Sequence, residues 1–198
     1  MLSSGEKVGE AEEIMSDITK RAISASLKNL LCEKNLNKIT VQDIADDCGI
    51  NRQTFYYHFQ DIYDLVEWTC IEDTEKVLKE NRTYDTWQEG FLAVFALAKK
   101  DKVFIDNIYR SVSLEMLEQY LYRLVYPLVK NVVDEKSKGF PVRDEDKEYI
   151  AHFYKYAFVG VLLDWVRHDM SESPESIVEK VSRIVGGTIE SAFKNFSK

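Results

Sequence analysis

The stretch that decides the fold is residues 40–59, TVQDIADDCGINRQTFYYHF. It reads as two short helices joined by a tight turn. Thr40 is a residue type that N-caps helices, and Asp43 three positions on completes a capping-box pattern. Val41, Ile44, Ala45 and Cys48 recur at helical spacing and predict one apolar stripe. Gly49 predicts the end of that helix, because glycine takes the left-handed conformation of a C-cap at little steric cost. Ile50 is expected to be buried in the turn. Asn51 is expected to cap a second helix, on which Phe55 and Phe59 share one face at i and i+4.

The rest of that second helix carries the functional signal. Arg52, Gln53, Thr54, Tyr56, Tyr57 and His58 cannot all point inward with Phe55 and Phe59, so they are expected to form a surface of hydrogen-bond donors and flat rings. Small Ala45 and Gly49 allow two helices to cross closely, as in a DNA-binding helix-turn-helix. From these residues alone, the alternative is an ordinary helical hairpin with a solvated face.

Ile39-Thr40-Val41, Asp43-Ile44-Ala45, Gly49-Ile50, Thr54-Phe55-Tyr56-Tyr57-His58-Phe59 and Asp64-Leu65 together resemble the TetR family of bacterial transcription regulators, over residues 18–66. The remainder resembles the family in layout. Arg52-Gln53-Thr54-Phe55-Tyr56, Glu67-Trp68, Tyr84-x-x-Trp87 and the late segment from Gly160-Val161-Leu162 to Ser173-Pro174-Glu175 are similar to the branch that includes the dihydroxyacetone-kinase operon regulators. The resemblance implies an all-α chain of about nine helices: a flexible tail at 1–16, a three-helix helix-turn-helix head at 17–66, and a helical bundle at 67–198 for ligand sensing and dimerisation. It also implies a fourth helix that links head to body and transmits change between them. One departure stands out. Members of the family often carry a lysine three residues after the motif's last aromatic, where it meets a DNA phosphate; here that position is Ile62, which puts the contact in doubt.

Composition fits this layout. The chain has 198 residues, 45% hydrophobic and 12% aromatic, with 8 glycines and 3 prolines, as suits helices with short connections. Cys32, Cys48 and Cys70 show no metal or redox spacing and are expected to be small buried thiols. No signal peptide or membrane-length apolar run is seen, which points to the cytoplasm. The net charge of −8 argues against indiscriminate nucleic-acid binding. Between residues 19 and 59, however, Lys20, Arg21, Lys28, Lys34, Lys38 and Arg52 roughly balance the acids, while the tail and body are acidic.

Along the chain, Asp17 or Thr19 is expected to open the first helix, with Ile23, Leu27, Leu30 and Leu31 inward. Residues 35–38 form a polar break before Ile39, and Asp61 opens a fourth helix. After a break at 81–85, helical patterns cover 86–100, 103–111 and 113–133, the last with Leu114, Leu117, Leu121, Leu124, Val125, Leu128 and Val132 inward and Pro127 inside it, where a proline kinks a helix and can open space beside it. Residues 134–144 form the clearest loop. Residues 145–168 are apolar over more than one stripe. Ser173 and Pro174 then open a final helix through Phe193, and Gly160, Gly186 and Gly187 are expected to permit close helix approach.

The surplus apolar faces of the last two helices suggest a homodimer built as a four-helix bundle, with Tyr156, Gly160, Leu163, Ile177, Val181, Ile184, Val185 and Thr188 as candidate interface residues. A pair of heads fits a palindromic double-stranded operator. In such a complex Gln53, Thr54 and Tyr57 are the base-edge candidates, Arg52 meets guanine or phosphate, and Thr40, Gln42, Asn51, Tyr56 and His58 complete the DNA-binding set. Trp87, Phe91, Phe95, Phe104, Tyr109, Tyr120, Phe153, Tyr154 and Phe158 are candidates for lining an effector pocket in the body.

No catalytic motif, metal site or cofactor signature is present, and His152 and His168 are too far apart along one helix to share a metal. The expectation is therefore a non-enzymatic, sequence-specific regulator, a ligand-responsive repressor. The alternatives are an activator or regulator controlled by a partner protein such as a coactivator, and a helical enzyme with a vestigial head.

Overall fold

The structure is a computed structural model that describes residues 4–78 and 86–197, with the backbone alone over residues 4–13. The described residues form helices and no strand, in two compact units, residues 1–70 and 71–198. The expected break at 81–85 lies outside the described residues.

The first unit holds α1 (Ser4–Leu31), a 3-10 turn at Leu36–Lys38, α2 (Val41–Cys48), α3 (Arg52–His58) and the start of α4 (Ile62–Leu78). Ile23, Leu27 and Leu31 recur every four residues along α1 and are buried against Ile44 and Ala45 of α2, Phe55 and Phe59 of α3, and Leu65 and Val66 of α4 within one small core. Two polar contacts brace it: Ser26 Oγ donates to Ile44 O at 3.3 Å, and the Ser24 and Thr69 hydroxyls lie 3.0 Å apart. The helix predicted to open at Asp17 or Thr19 begins at Ser4 instead. Glu6, Lys7, Glu10, Ala11, Glu12 and Glu13 are good helix formers, and with them the helix runs back, across Gly5 and Gly9, into the segment expected to be a tail. The polar break also hides a core residue, since Leu36 is as buried as Leu31. Ile50 is only half-buried, as are Cys48 and Cys70, and Cys32, just past the end of α1, is exposed.

The second unit contains the end of α4, then α5 (Trp87–Lys100), α6 (Lys102–Ser111), α7 (Leu114–Lys136), α8 (Asp144–Arg167), α9 (Pro174–Val185) and α10 (Thr188–Phe196). One core cluster gathers Val129 and Val133 of α7, Ile150, Ala151 and Tyr154 of α8, and Ile189 and Phe193 of α10. A second gathers Phe95 and Ala98 of α5, Leu162, Trp165 and Val166 of α8, and Ile177 of α9. α7 runs through Pro127, and Leu114 at its start is exposed rather than inward. The final helix predicted as continuous is two helices, broken at Gly186–Gly187, where Gly187 takes φ 78°. These two glycines serve the break, not close helix approach; open space surrounds the missing Cβ of Gly187 and of Gly160.

Candidate functional site

The turn between α2 and α3 is fixed by its caps. Thr40 Oγ1 accepts from Asp43 N at 3.1 Å, and Asp43 Oδ2 accepts from Thr40 N at 2.7 Å, a reciprocal capping box. Lys34 Nζ lies 2.8 Å from the other carboxylate oxygen. The hydrogen bond from Lys34, then those from Thr40, hold the Asp43 carboxyl down at about 2. Gly49 closes α2 in the left-handed region, φ 69°, with its N–H donated to Ala45 O. Asn51 Oδ1 accepts from Thr54 N at 2.8 Å and from Thr54 Oγ1 at 3.2 Å, capping α3. Phe55 and Phe59 are buried, and Phe59 stands edge-on to Trp68 at 5.8 Å.

This geometry sorts the nine residues expected to bind DNA. Thr40 and Asn51 spend their side-chain oxygens on the helix starts. Thr54 is half-buried with its hydroxyl turned back to Asn51, which leaves its methyl as the outward group. Gln42, Arg52, Gln53, Tyr56 and Tyr57 are exposed together, and Tyr57 is the most open at 82%. Gln42 Nε2 donates to Asp46 at 2.6 Å. Arg52 is steadied by Tyr56: the guanidinium carbon lies 5.9 Å from the ring centroid, and Nη2 is 3.4 Å from the hydroxyl. His58 is half-buried with Nδ1 3.5 Å from Ser16 Oγ. Burial, then the charge of Lys20, push its imidazole below the usual histidine range. It therefore favours the neutral form near neutral pH.

Ser16 was missed because its partner lies across the fold. The start of α4 is also more specific than the sequence suggested. Asp61 Oδ1 accepts from Tyr63 N and Asp64 N at 2.8 and 2.9 Å, and Asp64 Oδ2 accepts from Gln60 N at 2.9 Å. Two carboxylates thus occupy the helix start beside Ile62, where the resemblance would place a phosphate-binding lysine.

The body contains a partly open apolar cavity of about 90 Å³. Of the nine aromatic candidates, Trp87, Phe91, Tyr154 and Phe158 line it. The others do not. Phe95 and Phe104 are buried core, and Tyr109 accepts from Arg167 Nε at 3.2 Å. The Tyr120 ring lies 5.4 Å from the Arg123 guanidinium carbon, and Phe153 is 62% exposed. The rest of the wall is largely aliphatic, with Val125, Leu128, Val129 and Val132 of α7 flanking Pro127. Val125, Leu128 and Val132 were expected inward on this helix but not as cavity lining, because the candidates for that role were chosen among aromatic residues. Burial pushes the Tyr154 phenol up, partly offset by its hydrogen bond to Thr188.

An open apolar groove of about 600 Å³ runs along α8, α9 and α10, with Tyr149, Phe153, Ile184 and Phe196 exposed in it. Val181, Ile184, Val185 and Thr188, expected at a dimer interface, line this groove. Tyr156 and Gly160 are exposed on α8. Leu163 and Ile177, expected at the same interface, are buried inside their own unit. Among the described residues no group of His, Cys, Asp and Glu side chains could hold a metal ion, and no helix is long and apolar enough to cross a membrane.

Comparison with known proteins gives two family matches. Residues 23–68 match the model described as bacterial regulatory proteins, tetR family, and residues 85–187 match a transcriptional regulator C-terminal region of the same family. The chain is 26% identical over 147 residues to the HTH-type dhaKLM operon transcriptional activator DhaS of Lactococcus lactis subsp. lactis (strain IL1403), covering 74% of this chain and 78% of that one. A solved structure of dihydroxyacetone kinase operon activator DhaS superposes with a TM-score of 0.68 at 21% identity, covering 91% of this chain and 99% of that one. A TetR transcriptional regulator from Streptococcus agalactiae 2603V gives 0.56 at 20% identity, covering 89% and 98%. The matched domains and relatives are regulators of transcription, not enzymes.

Proposed function

This chain belongs to the TetR family of DNA-binding transcriptional regulators, and we propose that it is a cytoplasmic, ligand-responsive repressor that binds a palindromic operator as a homodimer. The observation that carries the reading is α3 itself. Arg52, Gln53, Tyr56 and Tyr57 stand outward on a short helix whose start, end and inner face are all fixed by the head. In the proposed complex α3 enters the major groove, Gln53 and Tyr57 face base edges, the Thr54 methyl faces a thymine methyl, and Arg52, steadied on Tyr56, reads guanine or a phosphate. Gln42 and His58 position the backbone.

The groove along α8, α9 and α10 supports dimerisation through Tyr149, Phe153 and Ile184, since an exposed apolar surface of this kind marks an interaction site. Effector control in this reading passes through α4, which contributes Leu78 to the cavity wall and Leu65, Val66 and Thr69 to the core of the head. An effector shifts DNA affinity only by binding the two states of the body differently.

A second reading is favoured by one observation. The cavity's 90 Å³ is below the ~150 Å³ that holds a benzene in an apolar interior, which supports control by a partner protein, and a relative is named an operon activator. Equilibrium titration at one stated salt concentration tests the DNA-binding claim. The chain is expected to prefer its selected operator over unrelated duplex by about a thousandfold or more, and Arg52→Ala is expected to cost about tenfold on the operator alone. Equal affinity for both duplexes would overturn the proposal.

A further inference from the structure

The cavity and the groove of the body share a wall made of Tyr154, Phe158 and Val185. That wall contains a polar junction. Tyr154 Oη lies 2.7 Å from Thr188 Oγ1, and Thr188 Oγ1 donates its single hydrogen to Val185 O at 2.9 Å, so Tyr154 is the donor to Thr188. Thr188 opens α10 directly after left-handed Gly187, and no side chain caps that helix start. The junction therefore ties α8 to a helix that begins at a glycine break, with room around Gly187.

The other side chains of the cavity wall are hydrocarbon chains and aromatic rings, with the Trp87 indole N–H as a further donor. They offer no counter-charge, so an ionised ligand would pay an uncompensated desolvation cost. The volume is also too small for a benzene-sized molecule while the wall stays in place. Room is available on the groove side, where the same three side chains face about 600 Å³ of open space.

We infer that the Tyr154–Thr188 pair is a latch, and that the effector is a compact, uncharged, mainly apolar molecule with one hydroxyl or carbonyl oxygen, which exchanges hydrogen bonds with the pair, parts it, and enlarges the cavity toward the groove. This inference rests on the ligand-responsive reading above. It also gives that reading a route to regulation. Parting the latch displaces the wall of the groove proposed to seat the second subunit, so a ligand bound inside alters the paired geometry of the heads. A pocket that opens only when occupied is a minor conformation made dominant by its ligand.

The test uses phenol and toluene, which match in size and differ in whether a ring carries a hydroxyl or a methyl. Binding of each to the full chain is measured by calorimetry, with the emission of Trp87 in the cavity wall as a second readout. Toluene is the more hydrophobic, so any preference for phenol reports a hydrogen bond. The wild-type chain is expected to bind phenol about tenfold more tightly than toluene, and Tyr154→Phe and Thr188→Val are each expected to erase that ratio. The two variants remove the donor and the acceptor separately, and thermal melting identifies which are folded, so one folded variant suffices. Equal binding of both ligands by the wild type overturns the latch and leaves an apolar effector cavity standing. Binding of neither overturns the latch together with the ligand-responsive reading. A phenol preference that survives in a folded variant places the polar anchor elsewhere and overturns the latch alone.

Discussion

At Asp43 one carboxylate does two jobs: it closes the capping box with Thr40 and pairs with Lys34. Its folded value of about 2 lies below the ordinary 3.8. A depressed value means that the contribution to stability is present above the unfolded pKa and is lost as pH falls through the folded one. Asp43→Asn is therefore expected to lower the denaturation midpoint at neutral pH, with the gap to wild type narrowing as pH drops from 4 toward 2. A gap that stays constant with pH would remove Asp43 ionisation from the account. Ile62 makes the opposite kind of prediction. It sits where the family resemblance would place a phosphate-binding lysine, beside two carboxylates that cap α4. Ile62→Lys is expected to tighten operator binding and to steepen the dependence of log K on log salt by roughly one; an unchanged slope would show that this position lies away from phosphate. The caps at Thr40, Asn51 and Ser173 were legible in the sequence, because donor and acceptor are three residues apart and need no tertiary information. The Ser16–His58 approach was not, because it joins residues 42 apart.

At the scale of elements, glycine breaks set the geometry at both ends of the chain. Gly49 was legible because Asn51, a helix-capping residue, follows it two positions on. Gly186–Gly187 was misread as a packing device, because the apolar pattern of α9 continues in phase into α10 across the break. Gly49 shows the cost cleanly: it is left-handed, and a Cβ there would meet nothing within 4 Å. Gly49→Ala is expected to destabilise the head by about 1 kcal/mol, through backbone strain alone, as measured by chemical denaturation. No loss would mean that the turn relaxes to another conformation. The early start of α1 has a different cause. Residues 4–16 lack the apolar periodicity that marks a buried helix, and Glu6, Lys7, Glu10, Ala11, Glu12 and Glu13 supply helix propensity there. The cavity beside α7 was anticipated through Pro127, but its wall was not, since four aliphatic residues of one helix supply much of it.

For the whole molecule, the all-α architecture followed from sequence, while the division of apolar residues between core and surface required the fold. Leu163 and Ile177 read the same as Ile184 in a helical pattern, yet the first two are enclosed and Ile184 is 71% exposed. The interface account predicts that Ile184→Glu, which places a charge in the groove, yields a monomer in sedimentation equilibrium with an unchanged fold by circular dichroism, and weakens operator binding about a hundredfold or more as the second half-site contact is lost. A dimer of unchanged affinity would move the interface off this face. The central claim, that α3 reads DNA in pairs, is tested most directly by selecting bound sequences from a random duplex pool at a stated salt concentration. The account predicts an enriched palindrome with two half-sites about one helical turn apart, and a changed preference within each half-site for Arg52→Ala. An enriched motif without twofold symmetry, or no enrichment by the wild-type chain, would contradict it.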